Sequence, residues 1–513
     1  MMKTKKNRMQ NSYTVLQSKK YINHPLVSVI TPVFNNEKTI EKTLKSVMEQ
    51  SLMPRMEYIV IDDGSKDNSR AILKKFVDEF PNIKVVFLNK NTGTPAYPRN
   101  MGIKLSTAPY LTFLDADDWL EKSGLEKLYT ILKETNDDYV VGRTIKITSK
   151  KKVIVGEHES CKERRSIPPK SIPHIFNHLG PRARMIKSSI IKEHNIQFPE
   201  MKFAEDKQFF MEVLTKCNNI STTEETIYYL NRLDENNDSL TKQTNTLAKM
   251  NCNKQVINYF KQKELDEEIK KMVLNRLYEF DCFHGLVNRY HKLLPKHPTS
   301  MKEKIRGHLK RKAYIVAVKK ALKTTSSLDY QITDYFHLPH NRIYYDLFKQ
   351  KRYKELEAFA KWYNEEKIKK VVVKKDTVYW HSPLAEPYNL VKVPLFAELV
   401  NCDYEGGFFR IDIRVKGDHH STVEKVLFRD RKNTINQVAF SILDYPLPLQ
   451  RIHIPESFFS PLSKSIYNIY LVYNEYNKVP LQIINPKLRL KKQQTDNHHF
   501  YKTKHEQLAL KII

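Results

Sequence analysis

Strand and helix alternate through the first quarter of this chain, and that alternation limits the fold more than any other feature. Leu26-Val27-Ser28-Val29-Ile30 is a short apolar run with β-branched residues, ending at Thr31-Pro32-Val33-Phe34-Asn35-Asn36. Ile40, Leu44, Val47 and Met48 then recur at helical spacing. Tyr58-Ile59-Val60-Ile61 is a second run, ending at Asp62-Asp63-Gly64-Ser65, and Ala71, Ile72, Phe76, Val77 and Phe80 mark a second helix. Lys84 to Leu88 and Tyr110 to Leu114 read as two more strands. Short apolar runs bounded by polar turns are buried strands, and strands separated by helices pair in parallel. The pattern predicts an α/β fold with a Rossmann-like parallel sheet and helices on both faces. In open sheets of this kind ligands bind at the carboxyl ends of the strands, which is where the polar residues of this chain collect.

At 513 residues the chain is too long for one typical domain. Five segments are expected: a basic N-terminal extension over 1–24, the α/β domain over 25–245, a basic helical region over 246–374, a β-sandwich over 375–492 and a basic tail over 493–513. Across residues 251–375, 29 Lys and Arg stand against 14 Asp and Glu. After Lys375 the period changes to two: Phe409, Ile411, Ile413 and Val415 alternate with polar residues, as do Tyr467, Ile469, Leu471 and Tyr473. Such alternation between turn clusters predicts an antiparallel sandwich. The tail, polar and basic, is expected to be poorly ordered.

The formal net charge of +29 favours a polyanionic partner: nucleic acid, anionic lipid or a phosphate polymer. Five scattered cysteines without Cys-x-x-Cys spacing argue against zinc and against a disulfide framework, and suit a reducing compartment. No apolar run approaches the roughly 18 residues that span a bilayer, and the first 24 residues lack the apolar core of a secretory signal. A cytoplasmic location is expected, with the inner face of the cell membrane as one place to work.

The fourth strand ends in Asp115-Ala116-Asp117-Asp118. Clustered carboxylates repel one another unless a cation sits between them, and hard oxygen ligands suit Mg²⁺ or Mn²⁺ bound together with substrate phosphates. A solvated acidic turn leading into a helix is the other reading of these residues. Asp62-Asp63-Gly64-Ser65 can hold a base or ribose through its carboxylates, or form an Asx-capped turn. Asn89 to Gly102 follows the third strand, and its two prolines stiffen a loop before a helix starting near Arg99. A cation and free backbone N–H groups at a helix start favour an anionic ligand. Further on, Glu205-Asp206 precedes an apolar helix with Phe209, Phe210, Val213 and Leu214. Acids are favoured in a first helical turn by the macrodipole, whatever their function.

Taken in order, Val-Ile-Thr-Pro-Val-Phe-Asn-Asn, Val-Ile-Asp-Asp-Gly-Ser, Asn-x-Gly, Pro-Arg-Asn-x-Gly and Phe-Leu-Asp-Ala-Asp-Asp resemble a family 2 glycosyltransferase with the GT-A fold. The resemblance implies a nucleotide-sugar donor and a divalent metal, Mn²⁺ or Mg²⁺. It implies that Pro32 and Asp63 border the nucleobase and ribose, that Asn91 and Arg99 contact the nucleotide, and that Asp115 and Asp117 form the Asp-x-Asp pair, with Asp117 the metal ligand. The segment Phe198 to Phe210 resembles the part of the family that carries the catalytic base, which implies Asp206 as base and Glu205 as its support. Arg184 stands where relatives carry Lys and is expected to face the diphosphate or the acceptor.

The layout is similar to that of wall teichoic acid β-N-acetylglucosaminyltransferases acting on poly(ribitol phosphate), with an immunoglobulin-like C-terminal domain associated with oligomerisation. That likeness implies a UDP-sugar donor, an anionic cell-wall polymer acceptor and a homotrimer. Two other readings fit the charge. One is a glycosyltransferase acting on a capsule or lipid-linked oligosaccharide, its basic surface facing anionic lipid. The other is a nucleic-acid-binding protein, which is disfavoured because no RNA-recognition, zinc or helix-turn-helix signature occurs.

Overall fold

The computed structural model describes residues 13–233, 245–284, 300–442, 449–488, 490 and 495–513. Part of the expected N-terminal extension (1–12), part of the basic helical region (285–299) and residues 493–494 of the expected tail lie outside the described residues. The chain divides into two compact units: one runs to Val273 apart from Lys150–Val153, and the other comprises Lys150–Val153 and Leu274–Ile513.

The first unit is built on one mixed sheet. Its elements are β1 (Tyr13–Gln17), β2 (Val27–Val33), α1 (Ile40–Met48), β3 (Met56–Asp62), α2 (Ser69–Glu79), β4 (Ile83–Leu88), α3 (Ala96–Leu105) and β5 (Tyr110–Phe113). Then follow β6 (Trp119–Leu120), α4 (Gly124–Thr135), β7 (Tyr139–Ile147), β8 (Arg184–Lys187), α5 (Glu205–Lys216), β9 (Ile220–Asn231) and α6 (Thr246–Gln262). The strands are ordered β1-β4-β3-β2-β5-β8-β7-β9-β6. The expected parallel core is present: β2 pairs in parallel with β3 and β5, and β3 with β4. The sheet is wider than expected, because β1 adds antiparallel to β4 and β8 adds antiparallel to both β5 and β7.

Burial explains the composition of the central strands. Every residue of β3 is buried, and β2 is buried except at Pro32. A strand covered on both faces must be apolar along its whole length, not only at alternate positions. Glu57, the acid near the start of β3, accepts hydrogen bonds from Ser28 Oγ at 2.6 Å, Tyr21 Oη at 2.7 Å and the Thr107 amide at 2.6 Å. Burial raises its carboxyl pKa, but these donors outweigh burial and hold it below the ordinary range. Leu44, Val47, Leu73, Phe76, Leu128 and Leu132 from three helices share one buried cluster with Val29, Tyr58 and Val60. Truncating any one of these leucines to alanine costs about 2–5 kcal/mol.

The first unit extends beyond the expected boundary at 245. Helix α6 is held to α5 by Lys207 Nζ to Asn253 Oδ1 at 3.0 Å, Tyr259 Oη to Glu212 Oε2 at 2.6 Å and Lys263 Nζ to Glu212 Oε1 at 2.7 Å. These polar anchors lie on a helix that reads as basic and solvated.

In the second unit, helices α7 (Met301–Leu322), α8 (Pro339–Lys349) and α9 (Tyr353–Glu365) precede a small antiparallel sheet of β10 (Val371–Lys374), β11 (Thr377–His381) and β12 (Leu390–Val393). The remaining strands are β13 (Phe396–Glu405), β14 (Phe408–Lys416), β15 (Val423–Asp430), β16 (Gln437–Ser441), β17 (Leu449–Pro455), β18 (Ser465–Tyr473), β19 (Asn477–Gln482), β20 (His498–Lys502) and β21 (Leu508–Ile512). They follow the path β16-β15-β18-β19-β13-β14-β17, with β21 on β18 and β20 on β21. Phe428 of β15 and Phe409 of β14 stand four strands apart on that path, yet both rings pack on Phe459, with centroids 4.9 and 5.8 Å away. The path therefore folds over one core, as the period-two pattern predicts. The tail expected to be poorly ordered instead supplies β20 and β21. Phe500, Leu508 and Leu510 are buried in that core, and burial of this apolar set outweighs the polar composition around it.

Candidate active site

The register of the parallel strands brings the acidic loops together. Val33 pairs with Asp62, and Ile30 with Phe113. The loops that begin at Phe34, Asp63 and Leu114 therefore leave neighbouring strands at the same edge of the sheet. The first is short and tied to the second: the Asn35 amide donates to Ser65 Oγ at 2.9 Å, and the Lys66 amide to Asn35 Oδ1 at 2.9 Å.

Asp63 is buried, and its carboxylate accepts from the Thr92 amide and the Thr92 hydroxyl, both at 2.9 Å. Burial raises its pKa to about 6 against the pull of these donors. The loop after β4 lies directly on Gly64, where φ is +76° and a Cβ would stand 2.7 Å from the Asn91 amide nitrogen. Glycine is required there for both its left-handed backbone and the close approach. Pro32 is half-buried at the end of β2, and Asn91 is exposed on the loop that Gly64 supports.

Asp115, Asp117 and Asp118 each place a carboxylate oxygen within 4.8 Å of the others. They are not equivalent. Asp118 is buried, and both its oxygens are taken, by Tyr228 Oη at 2.7 Å and by the Asn231 amide at 2.7 Å. Burial, then the like charges of Asp117 and Asp115, push its carboxyl well above the usual range. Asp115 and Asp117 remain partly open to solvent. Tyr228 also accepts a hydrogen bond from the Asp115 amide at 3.2 Å, so one phenol from β9 fixes both ends of the acidic turn. This donor set fits a divalent ion: two carboxylates partly open to solvent stand beside a third, all within 4.8 Å of one another.

Arg99 lies in the first turn of α3 and is buried. Its guanidinium donates to Asp115 Oδ1 at 2.7 Å and to Glu205 Oε1 at 3.4 Å, over the ring of Phe198 at 5.2 Å. Its Nε is buried without a partner among the described residues. Sequence reasoning assigns Arg99 a nucleotide contact; the structure turns two of its nitrogens inward and makes it the link between the two acidic groups.

Glu205 and Asp206 open α5 behind Ala204, whose φ of +70° is left-handed. A non-glycine residue held in that region stores backbone strain, a feature that gathers at functional sites. Burial, followed by the charge of Asp206, raises the Glu205 carboxyl to about 7, with Arg99 opposing.

The structure corrects the expectation for Arg184. Its guanidinium is fully buried, with Nη1 donating to the carbonyls of Gly180 at 2.7 Å and Arg182 at 2.8 Å, and Nη2 to Glu159 Oε2 at 2.6 Å. The Tyr139 hydroxyl and the His178 carbonyl take the remaining donors. With every nitrogen engaged internally, it faces neither diphosphate nor acceptor. The neighbouring cation Arg182 was not foreseen. Its Nη2 meets His178 Nε2 at 3.2 Å, and His178 Nδ1 meets Glu159 at 3.0 Å. Burial lowers the pKa of His178, so the neutral ring donates to Glu159 and accepts from Arg182. Gly180 separates Arg182 from Asp206: a Cβ there would stand 3.3 Å from Arg182 Nη2 and 3.6 Å from Asp206 Oδ2. An Arg-x-Arg pair signals two cations but not which one turns inward. Phe34, 43% exposed just after β2, is another residue that sequence reasoning leaves unassigned. The signal for it was an aromatic residue in a strand-end loop.

Comparison with known proteins relates the strand-end loops of this site to a family. Residues 28–195 match the family model "Glycosyl transferase family 2", so the chain carries a domain of that family. It is 36% identical over 211 residues to the poly(ribitol-phosphate) beta-N-acetylglucosaminyltransferase TarP of Staphylococcus aureus, covering 40% of this chain and 62% of that one. It is 33% identical over 207 residues to the poly(ribitol-phosphate) beta-glucosyltransferase of Bacillus spizizenii, covering 40% of this chain and 32% of that one. The chain thus spans less than two thirds of the length of either relative. The crystal structure of S. aureus TarS superposes with a TM-score of 0.57 at 16% identity over 95% of this chain and 85% of that chain. This likeness shows the fold: a GT-A catalytic domain, helices and a C-terminal β-sandwich.

Proposed function

We propose that this protein is an inverting glycosyltransferase that moves N-acetylglucosamine from a UDP-sugar to a hydroxyl of a polyol-phosphate polymer of the cell wall. The observation that carries the reading is Arg99, which joins Asp115 to Glu205 and so couples a diphosphate-type acidic turn to a carboxylate pair. A family 2 domain and two relatives named for poly(ribitol phosphate) support the substrate class.

Pro32, Asp63 and Asn91 border the nucleoside, and Phe34 offers its ring face to the base. Asp117 and Asp115 would hold a magnesium or manganese ion, which would supply positive charge against the leaving diphosphate. Asp206 takes the proton of the acceptor hydroxyl as that oxygen attacks the anomeric carbon. The bond from that carbon to the diphosphate oxygen breaks on the opposite face, and the nucleoside diphosphate leaves with the bonding pair. Glu205, when ionised, pairs with Arg99, which holds it in place beside Asp206. Arg182, oriented by neutral His178, stands beside the base, where a phosphate of the acceptor can pair with its fork.

No helix among the described residues is long and apolar enough to cross a membrane. Work at the inner face of the cell membrane, and assembly into a homotrimer through the C-terminal sandwich, belong to the same proposal. A screen of UDP-sugars with each metal against ribitol-phosphate, glycerol-phosphate and lipid-linked acceptors tests it. Transfer only to the lipid-linked oligosaccharide would replace the polymer in this reading, and transfer to none would end it.

A further inference from the structure

Helix α7 (Met301–Leu322) is apolar on two opposite faces, and only one of them is packed among the described residues. Ser300 caps it by accepting the Glu303 amide at 3.2 Å. Gly307, Tyr314, Ala317, Val318 and Ala321 are buried and form the packed face. At 3.6 residues per turn, Met301, Ile305 and Leu309 lie one above another on the side facing away from it, and Val316 continues that line. They are 72%, 55%, 60% and 44% exposed. Exposed apolar residues scattered singly need no explanation, but four aligned on one helix do.

The chemistry beside the ridge selects its partner. Lys302, Arg306 and Lys320 flank it on one side and Lys304 on the other, where Arg311 is already paired with Glu357 at 3.1 Å, while Lys312 and Lys319 stand within it. The helix carries eight Lys and Arg and one acid, Glu303, which lies toward the packed side. A hydrated phosphate polymer would use the cations and leave the ridge in water. A second copy of this helix would bring like charges together. A bilayer surface with anionic headgroups takes both: the apolar side chains enter the headgroup boundary while the long basic side chains reach the phosphates around them.

We propose that the outward face of α7 docks on an anionic lipid surface, with Ile305 and Leu309 as its apolar anchors. The proposal deepens the membrane-face part of the reading above and rests on it. Transfer to a soluble acceptor without vesicles reads the enzyme separately.

The test is co-sedimentation of the full chain with phosphatidylglycerol/phosphatidylcholine vesicles and with phosphatidylcholine vesicles. The wild type is expected to bind the anionic vesicles, bind the neutral ones at least about tenfold more weakly, and lose affinity as salt rises. Ile305→Ser/Leu309→Ser leaves the charge unchanged and removes only apolar surface. It is expected to lower affinity for anionic vesicles by about tenfold or more, with an unchanged melting temperature and unchanged transfer to a soluble acceptor. Lys302→Gln/Arg306→Gln is expected to lower affinity for the anionic vesicles alone. Wild-type binding by the serine variant would show that charge alone attracts the protein, and would overturn the proposal. So would a wild type that ignores anionic vesicles, or a serine variant whose oligomeric state changes in light scattering while its vesicle binding does not.

Discussion

Arg99 Nη1 lies 3.4 Å from Glu205 Oε1, although 106 residues separate the two in sequence. The same guanidinium reaches Asp115 at 2.7 Å, so one planar cation fixes the strand-end turn and the first turn of α5 against each other. A lysine at this position would keep the charge and lose the fork. Arg99→Lys is therefore expected to lower kcat about a hundredfold, since small misplacements of reacting groups have effects of that size. Its effect is expected to be non-additive with Glu205→Gln in a double-mutant cycle. Simple additivity of the two would remove the bridge from the mechanism.

Glu205 gives the reaction a pH signature. Its carboxyl is raised to about 7, first by burial and then by Asp206. Below that pH it is protonated, and its ion pair with Arg99, which ties α5 to the acidic turn, is lost. The value of kcat/KM for the free enzyme is thus expected to rise through about pH 7 and level off above it. In Glu205→Gln this limb is expected to vanish while a lower plateau remains. The linkage to stability has the opposite sign. A carboxyl whose folded pKa lies above its unfolded value favours the folded state least when ionised, so it weakens the fold progressively as pH rises from about 4.5 through 7. Glu205→Gln is expected to melt higher than wild type at pH 8 and about equally at pH 4, which calorimetry checks.

The legible parts of this molecule are those where one local pattern has one physical outcome. Fully buried strands must be apolar throughout, so β2 and β3 and the acids that follow them stand out in the sequence. Tyr228, which fixes both Asp118 and the Asp115 amide, was not legible, because a tyrosine in a strand 110 residues away carries no mark of its partner. Arg184 was misread because an arginine near carboxylates is normally a ligand contact, whereas here the backbone carbonyls of residues 178–182 wrap around it. The strands at His498–Lys502 and Leu508–Ile512 were hidden by basic neighbours, although Phe500, Leu508 and Leu510 point inward.

The Arg184–Glu159 pair is expected to matter to folding and not to donor binding. Burial raises the Glu159 carboxyl, but the charge of Arg184 and the hydrogen bond from His178 outweigh it and hold the pKa at about 2. A carboxyl depressed from 4.5 to about 2 adds about 3 kcal/mol of stability above its unfolded pKa. That stability is lost as pH falls from about 4.5 through 2. Glu159→Gln leaves Arg184 buried and uncompensated, which costs about 3–5 kcal/mol. The variant is expected to melt lower at pH 7, to lose the acid-dependent part of its stability curve, and to bind UDP-sugar normally when folded. Weakened donor affinity in folded Glu159→Gln would return Arg184 to the donor site.

Asp206 and Asp117 are expected to fail in different ways, and the contrast tests the two-part site. Asp206→Asn is nearly isosteric, so it leaves the backbone of α5 and the position of Glu205 in place. It removes the proton acceptor, and general-base catalysis contributes about 10²–10⁴ in rate. Its kcat is expected to fall by that factor, with donor affinity and melting temperature unchanged. Asp117→Asn removes one of the two accessible oxygens in the acidic cluster and keeps Asp118 and its bonds to Tyr228 and Asn231. Its fold is expected to hold, while the gain in UDP-sugar affinity on adding Mn²⁺ or Mg²⁺ is lost. Calorimetric titration of each variant with donor, with and without metal, separates the cases. An Asp206→Asn variant with wild-type turnover would remove it as base, and an Asp117→Asn variant whose donor affinity still rises with metal would move the ion to other ligands.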